Sequence, residues 1–184
     1  MILKNQQIES TRSELVNKKP WAQGVFHDFD RLRNSENLKF IRDKGVGQLT
    51  FTGDFSECDA LECTNYFDFT ILMNIDAADH LFLNFESSIA RKYLWAIYGH
   101  EYGHFILDYY YLASGKYSTY KEAHSAVNPL VYHLTVDAIG MLLTNTNKDS
   151  FKEVLRNTGT THIMGKPVLT GDIRQRLECL DKLP

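Results

Sequence analysis

The sequence predicts an α+β fold in which helices dominate and the β-sheet is small. Three observations carry this. Long polar and apolar stretches repeat at helical spacing, whereas few segments alternate at period two. The strand-like segments are short and lie together between residues 46 and 85. The chain has 184 residues, 43% hydrophobic and 23% charged, which suits one domain with a sizeable core. A single domain over residues 1–184 is therefore expected.

The elements follow in order. Residues 5–18 and 22–42 read as two polar helices split by Pro20, because proline removes a backbone donor and clashes inside a helix. "VGQLTF" at 46–51 reads as a short strand, and "TGDFSECDALECTN" as a polar loop or short helix. In "YFDFTILMNID", Phe67, Phe69, Ile71 and Met73 fall at period two and predict a strand. "HLFLNF" at 80–85 reads as a further strand. Ser87 or Ser88 caps a long helix running to Leu112. Residues 115–128 read as a loop with partial helix. Asn128 before Pro129 starts the next helix, with asparagine as N-cap and proline at the first helical position, running to Asn145. A helix at 149–156 and a last helix capped by Thr170 complete the chain.

Composition narrows the function classes. The net charge is −3 and no Lys/Arg-rich run occurs, so no direct nucleic-acid binding is expected. No apolar run approaches a membrane span, and residues 1–19 lack the apolar core of a secretory signal. Three cysteines, Cys58, Cys63 and Cys179, form an odd number with no CxxC pair. That pattern fits reduced thiols and a cytoplasmic location.

The stretch "YGHEYGHFILD", residues 98–108, holds the strongest chemistry. On a helix, His100 and His104 lie on one face, one turn apart, and offer ring nitrogens to a single ion. Glu101, one position on, lies to the side as a general base rather than a ligand. This is the HExxH arrangement of zinc hydrolases. Two histidines and a glutamate in a largely apolar helix need partners, and a Zn²⁺ ion supplies one. Gly99 and Gly103 weaken a helix interior and point to close backbone approach around the site.

A catalytic zinc takes three protein donors, so a third is needed. His133 lies in the next strong helix, and Asp137 follows one turn later on the same face. Either His133 is the third ligand and Asp137 accepts the other N–H of a ligand histidine, or Asp137 itself reaches the metal. The donor for a reaction oxyanion is left open among Tyr109, Tyr110, Tyr111, Tyr117 and Tyr120, and also Tyr132, His124 and His162.

These residues resemble a known family. "RKYLWAIYGHEYGHFIL", residues 91–107, is similar to the active-site helix of the ImmA/IrrE metallopeptidases, typically R-x-x-F-T-x-A-H-E-x-G-H-x-x-L. "FTILMN" resembles the family's strand ending near Asn, here Asn74. "HLTVDAIGMLL", residues 133–143, aligns with the family's E-x-x-A-[ND]-x-F-A-x-x-L-[LM], placing His133 at its glutamate ligand and Asp137 at its Asn/Asp. "VLTGDIRQRLECL" is similar to the late V-S-x-x-x-x-x-R-L segment. The resemblance covers residues 65–182, a zincin core, and leaves a helical part at 1–60 unmatched. It departs at His133, at Asp108, where many members have histidine, and at "TNTN", where a Met-Pro is usual.

The resemblance implies a zincin-like fold with its sheet beside the active-site helix. It implies a zinc-dependent endopeptidase acting on a protein partner such as a helix-turn-helix transcriptional repressor. Two other readings stay open: a zinc-binding but proteolytically silent regulatory module, and a zincin of the SprT-like kind. An extended substrate is expected to pair with the strand at 67–74.

Overall fold

The computed structural model describes the backbone of residues 2–54, 56–58, 60–66, 68–158, 160–163, 166–169 and 171–182, and their side chains except 2–7, 120, 121, 124, 160–163, 166–169 and 171. The protein is a helix-dominated α+β structure with a small mixed sheet. It divides into two compact units, Met1–Trp95 and Ala96–Pro184.

The first unit begins with α1 (Ile2–Lys18) and α2 (Ala22–Arg33) on either side of Pro20. Where a polar helix was expected through residue 42, α2 stops at Arg33. Asn34 and Ser35 follow, residue types whose side chains compete for backbone hydrogen bonds. A single 3-10 turn, Glu36–Leu38, and the short α3 (Lys39–Arg42) continue. Arg42 returns to donate to the carbonyls of Arg33 and Ser35 at 3.0 and 3.4 Å, which satisfies acceptors left by the break. Asp28 accepts a bidentate pair of bonds from Arg91 at 2.7 and 2.9 Å.

The sheet comprises β1 (Gln48–Thr52), β2 (Glu62–Asn65) and β3 (Thr70–Asn74). Its order is β1-β3-β2, with β1 parallel and β2 antiparallel to β3. All five residues of β3 are buried, as a central strand requires. This corrects the substrate-pairing expectation: β1 and β2 occupy both hydrogen-bonding edges of β3. Residue 67, counted in the period-two pattern, lies outside the described residues. β2 falls where a loop was expected, because "ECTN" is a polar edge strand with no apolar alternation to announce it.

"HLFLNF" is not a strand; His80–Asn84 close α4 (Ile75–Asn84) and Phe85 is its C-cap. Asn74 decides this locally. Its side-chain oxygen accepts from Ala77 N at 3.1 Å, capping the helix, and its amide donates to Cys58 O at 2.9 Å. α5 (Ser87–Ala113) then runs from the first unit into the second.

The second unit continues with α6 (Tyr120–Ala126) and α7 (Pro129–Thr144). Asn128 caps α7 as expected, accepting from Leu130 N and Val131 N. Asn145 closes it in the left-handed region at φ 53°. α8 (Lys148–Thr158) follows, then an antiparallel hairpin of β4 (Thr160–Ile163) and β5 (Lys166–Leu169), and α9 (Gly171–Lys182). The hairpin lies where no strand was expected. The Thr170 cap falls outside the described residues. The unit's core includes Leu107, Tyr132 and Val136, with Tyr111, Val127 and Ile139 packed against them. No helix among the described residues is long and apolar enough to cross a membrane.

Candidate metal centre

The site lies wholly within the second unit. α5 places the Nε2 atoms of His100 and His104 3.2 Å apart. Two donors bound to one tetrahedral zinc at about 2.0–2.1 Å would lie about 3.3 Å apart. Glu101 is buried beside them, and one donor atom from each of His100, Glu101 and His104 falls within 4.8 Å of the others.

The glycines explain how α7 reaches this face. A Cβ on Gly103 would lie 2.7 Å from Val136 O, and one on Gly99 2.6 Å from Gly140 O. A Cβ on Gly140 would lie 2.7 Å from His100 N. Real Cβ atoms do not approach backbone this closely, so the three glycines let the two helix backbones touch. That contact brings Asp137 against His100.

His100 Nδ1 meets Asp137 Oδ1 at 2.7 Å. Asp137 is fully buried. Arg176 Nε donates to its Oδ2 at 2.8 Å, and a terminal nitrogen of Arg176 donates to Oδ1. Burial pushes the Asp137 pKa up, but the His100 hydrogen bond and the Arg176 charge outweigh it and hold the carboxyl below its usual range. Asp137 is therefore an ionised acceptor, and His100 Nδ1 carries the proton.

His104 is held differently. Its Nδ1 lies 3.2 Å from the Tyr132 hydroxyl, which itself donates to Asp108 Oδ1 at 2.8 Å. The single phenolic proton points at Asp108, so Tyr132 accepts from His104 Nδ1–H. Each histidine thus has its Nδ1 engaged by an oxygen acceptor, and the two Nε2 atoms are left facing each other.

His133 stands beside this pair, with its ring centroid 6.2 Å from that of His100 and 5.7 Å from that of His104. Among the described residues the convergent donor set is His100, Glu101 and His104; the His133 ring borders it. His133 Nδ1 is 3.5 Å from Asp172 Oδ2 and makes no hydrogen bond among the described residues. Burial lowers the His133 pKa, the nearby Asp172 opposes this, and Arg176 and His100 add to the lowering. His133 is accordingly neutral near neutral pH.

Of the other candidates, Tyr132 and Asp108 sit behind His104, on its Nδ1 side. Tyr109 and Tyr110 are exposed. The side chains of Tyr120, His124 and His162 lie outside the described residues. Arg176 carried no role in the sequence reading, although a signal existed. Ile173, Leu177 and Leu180 form the buried stripe of α9, and Arg176 falls within that stripe. A charged residue on an apolar helix face requires a buried partner. Comparison of the chain with protein-family models, with curated proteins and with solved structures finds no match.

Proposed function

We propose that the protein is a zinc-dependent endopeptidase. The supporting observation is the pair of Nε2 atoms facing each other at 3.2 Å, with both Nδ1 atoms engaged by oxygen acceptors, an arrangement that puts the protons on Nδ1 and the lone pairs on Nε2. Two such acceptors repel unless a cation lies between them. The donor chemistry suits zinc: His100 and His104 would hold it, with His133 as third donor.

Asp137 is a poor rival for the third place. Both of its oxygens already accept bonds from His100 or Arg176, and it lies on the Nδ1 side of His100. It orients the ligand instead. Bound zinc would supply Lewis acidity toward the scissile carbonyl and make water more acidic. Glu101 takes the proton of the attacking water and passes it to the leaving amine nitrogen, which releases the peptide. Tyr132 and Asp137 keep the two imidazoles in the tautomer that donates through Nε2. A protein partner of the helix-turn-helix repressor class, and a zincin-like fold of the ImmA/IrrE type, come from the sequence resemblance alone.

A second reading has its own observation. His133 lies outside the convergent donor set, which suits a protein that holds zinc without turnover. One experiment separates the two. Elemental analysis of protein purified without chelator should find one zinc per chain, and the wild type should cleave unfolded casein. Glu101→Gln should keep the zinc and lose about two to four orders of magnitude in turnover. Zinc binding without casein cleavage in the wild type would favour the silent module, and absence of zinc would reject both.

A further inference from the structure

His100 and His133 stand on different helices, yet their Nδ1 atoms face carboxylates gathered by one side chain. Arg176 is 5% exposed. Its Nε and one terminal nitrogen take both oxygens of Asp137, which accepts from His100. Its other terminal nitrogen lies 3.5 Å from Asp172 Oδ2. The same Asp172 oxygen lies 3.5 Å from His133 Nδ1, a buried nitrogen with no hydrogen-bond partner among the described residues.

We propose that Arg176 and Asp172 of α9 are positioning residues of the metal centre: one guanidinium indexes Asp137 and Asp172 together, and these two carboxylates set the orientation of His100 and His133. The inference rests on the zinc reading above and adds α9 to the machinery that prepares the donors.

The chemistry of arginine explains the choice of residue. Its planar fork grips one carboxylate in bidentate fashion and still presents a nitrogen to a second. Lysine, a single point charge, cannot hold both in register. Asp172 precedes Arg176 by one helical turn, so α9 delivers acid and guanidinium to one face. An Nδ1–H directed at Asp172 leaves the His133 lone pair on Nε2, the same donor form that His100 and His104 adopt. The bland alternative gives Asp172 only a favourable place in the first turn of α9. That alternative links Asp172 to helix stability and not to His133.

A double-mutant cycle on the full chain tests this. Zinc affinity is measured by competition with a chromogenic chelator for wild type, Asp172→Ala, His133→Ala and the double variant. Nitrogen-15 shifts of the imidazoles in the metal-free protein report the His133 tautomer. Asp172→Ala should weaken zinc about 10–100-fold in the wild-type background and move the His133 tautomer off Nδ1–H. In the His133→Ala background it should add nothing. Arg176→Lys should weaken zinc in both backgrounds, because it also loosens the Asp137–His100 pair. Should Arg176→Lys fail to fold, the cycle still decides, since Asp172 is half-exposed. Equal losses from Asp172→Ala in both backgrounds, or unchanged zinc affinity and shifts, would overturn the inference alone. A wild-type chain that takes up no zinc would overturn the zinc reading and this inference with it.

Discussion

His100 and His104 sit one turn apart on one helix and are held in two different ways. Behind His100 stands an ion cluster: Asp137 at 2.7 Å, itself gripped by Arg176. Behind His104 stands a neutral hydroxyl, Tyr132 at 3.2 Å, which hands the contact on to Asp108. Both arrangements fix the same tautomer. The first does so with full charges buried at the crossing of α7 and α9, and the second with a relayed hydrogen bond. Fold and site are therefore coupled tightly at His100 and more loosely at His104.

The largest break should come from Asp137→Ala. It strips the bidentate counter-charge from Arg176, which is 5% exposed and keeps only Asp172 at 3.5 Å, and removes the His100 acceptor. Leaving one member of a buried pair alone costs about 3–5 kcal/mol. Urea denaturation should show a loss of that order, with zinc uptake falling in any folded fraction. If stability is unchanged, the cluster is not holding α7 to α9.

Next comes Gly103→Ala. The new Cβ would lie 2.7 Å from Val136 O, so the two helices must move apart. Overpacking of this kind costs about 1–3 kcal/mol, which outweighs the gain of about 1 kcal/mol in helix propensity. The same denaturation assay should therefore show net destabilisation, and zinc affinity should fall because Asp137 recedes from His100. A stabilised variant would contradict the close helix contact.

Tyr132→Phe should be milder. It removes the acceptor for His104 Nδ1 and the donor to Asp108 Oδ1, and because both partners are buried the loss is about 1–3 kcal/mol. Zinc affinity should drop by about ten-fold and by less than for Asp137→Ala, as measured by chelator competition. A larger loss than at Asp137 would reverse the ranking of the two arrangements.

The smallest effect is a pH slope from His133. Burial holds its pKa below the ordinary value of about 6.5. As pH falls below that value the unfolded chain takes up a proton that the folded chain refuses. Metal-free stability should therefore decline between pH 6.5 and the lower folded pKa, then level off. Denaturation midpoints over that range should flatten in His133→Gln. An unchanged slope would assign the dependence to other groups.

Much of the site was legible along the chain because its signals are local. The HExxH spacing, the Asn128–Pro129 helix start and the same-face pair His133 and Asp137 all follow from helical period. So does the long helix that became α5. Where signals conflicted or were absent, the reading failed. "HLFLNF" has strand-like residues, but the Asn74 cap makes it helical. "ECTN" has no apolar alternation, yet its backbone pairs with the edge of β3.

The sequence by itself determined which residues share a helix face, since that depends only on a fixed rotation per residue. It thereby determined that His100 and His104 address one point, with Glu101 close by. Tertiary structure alone decided what stands behind them. Asp137 lies 37 residues from His100, and Arg176 a further 39 beyond Asp137. No local period relates positions so far apart. Their meeting depends on how closely helices cross, and at Gly99, Gly103 and Gly140 that closeness is set by missing side chains whose effect appears only once two backbones are packed together.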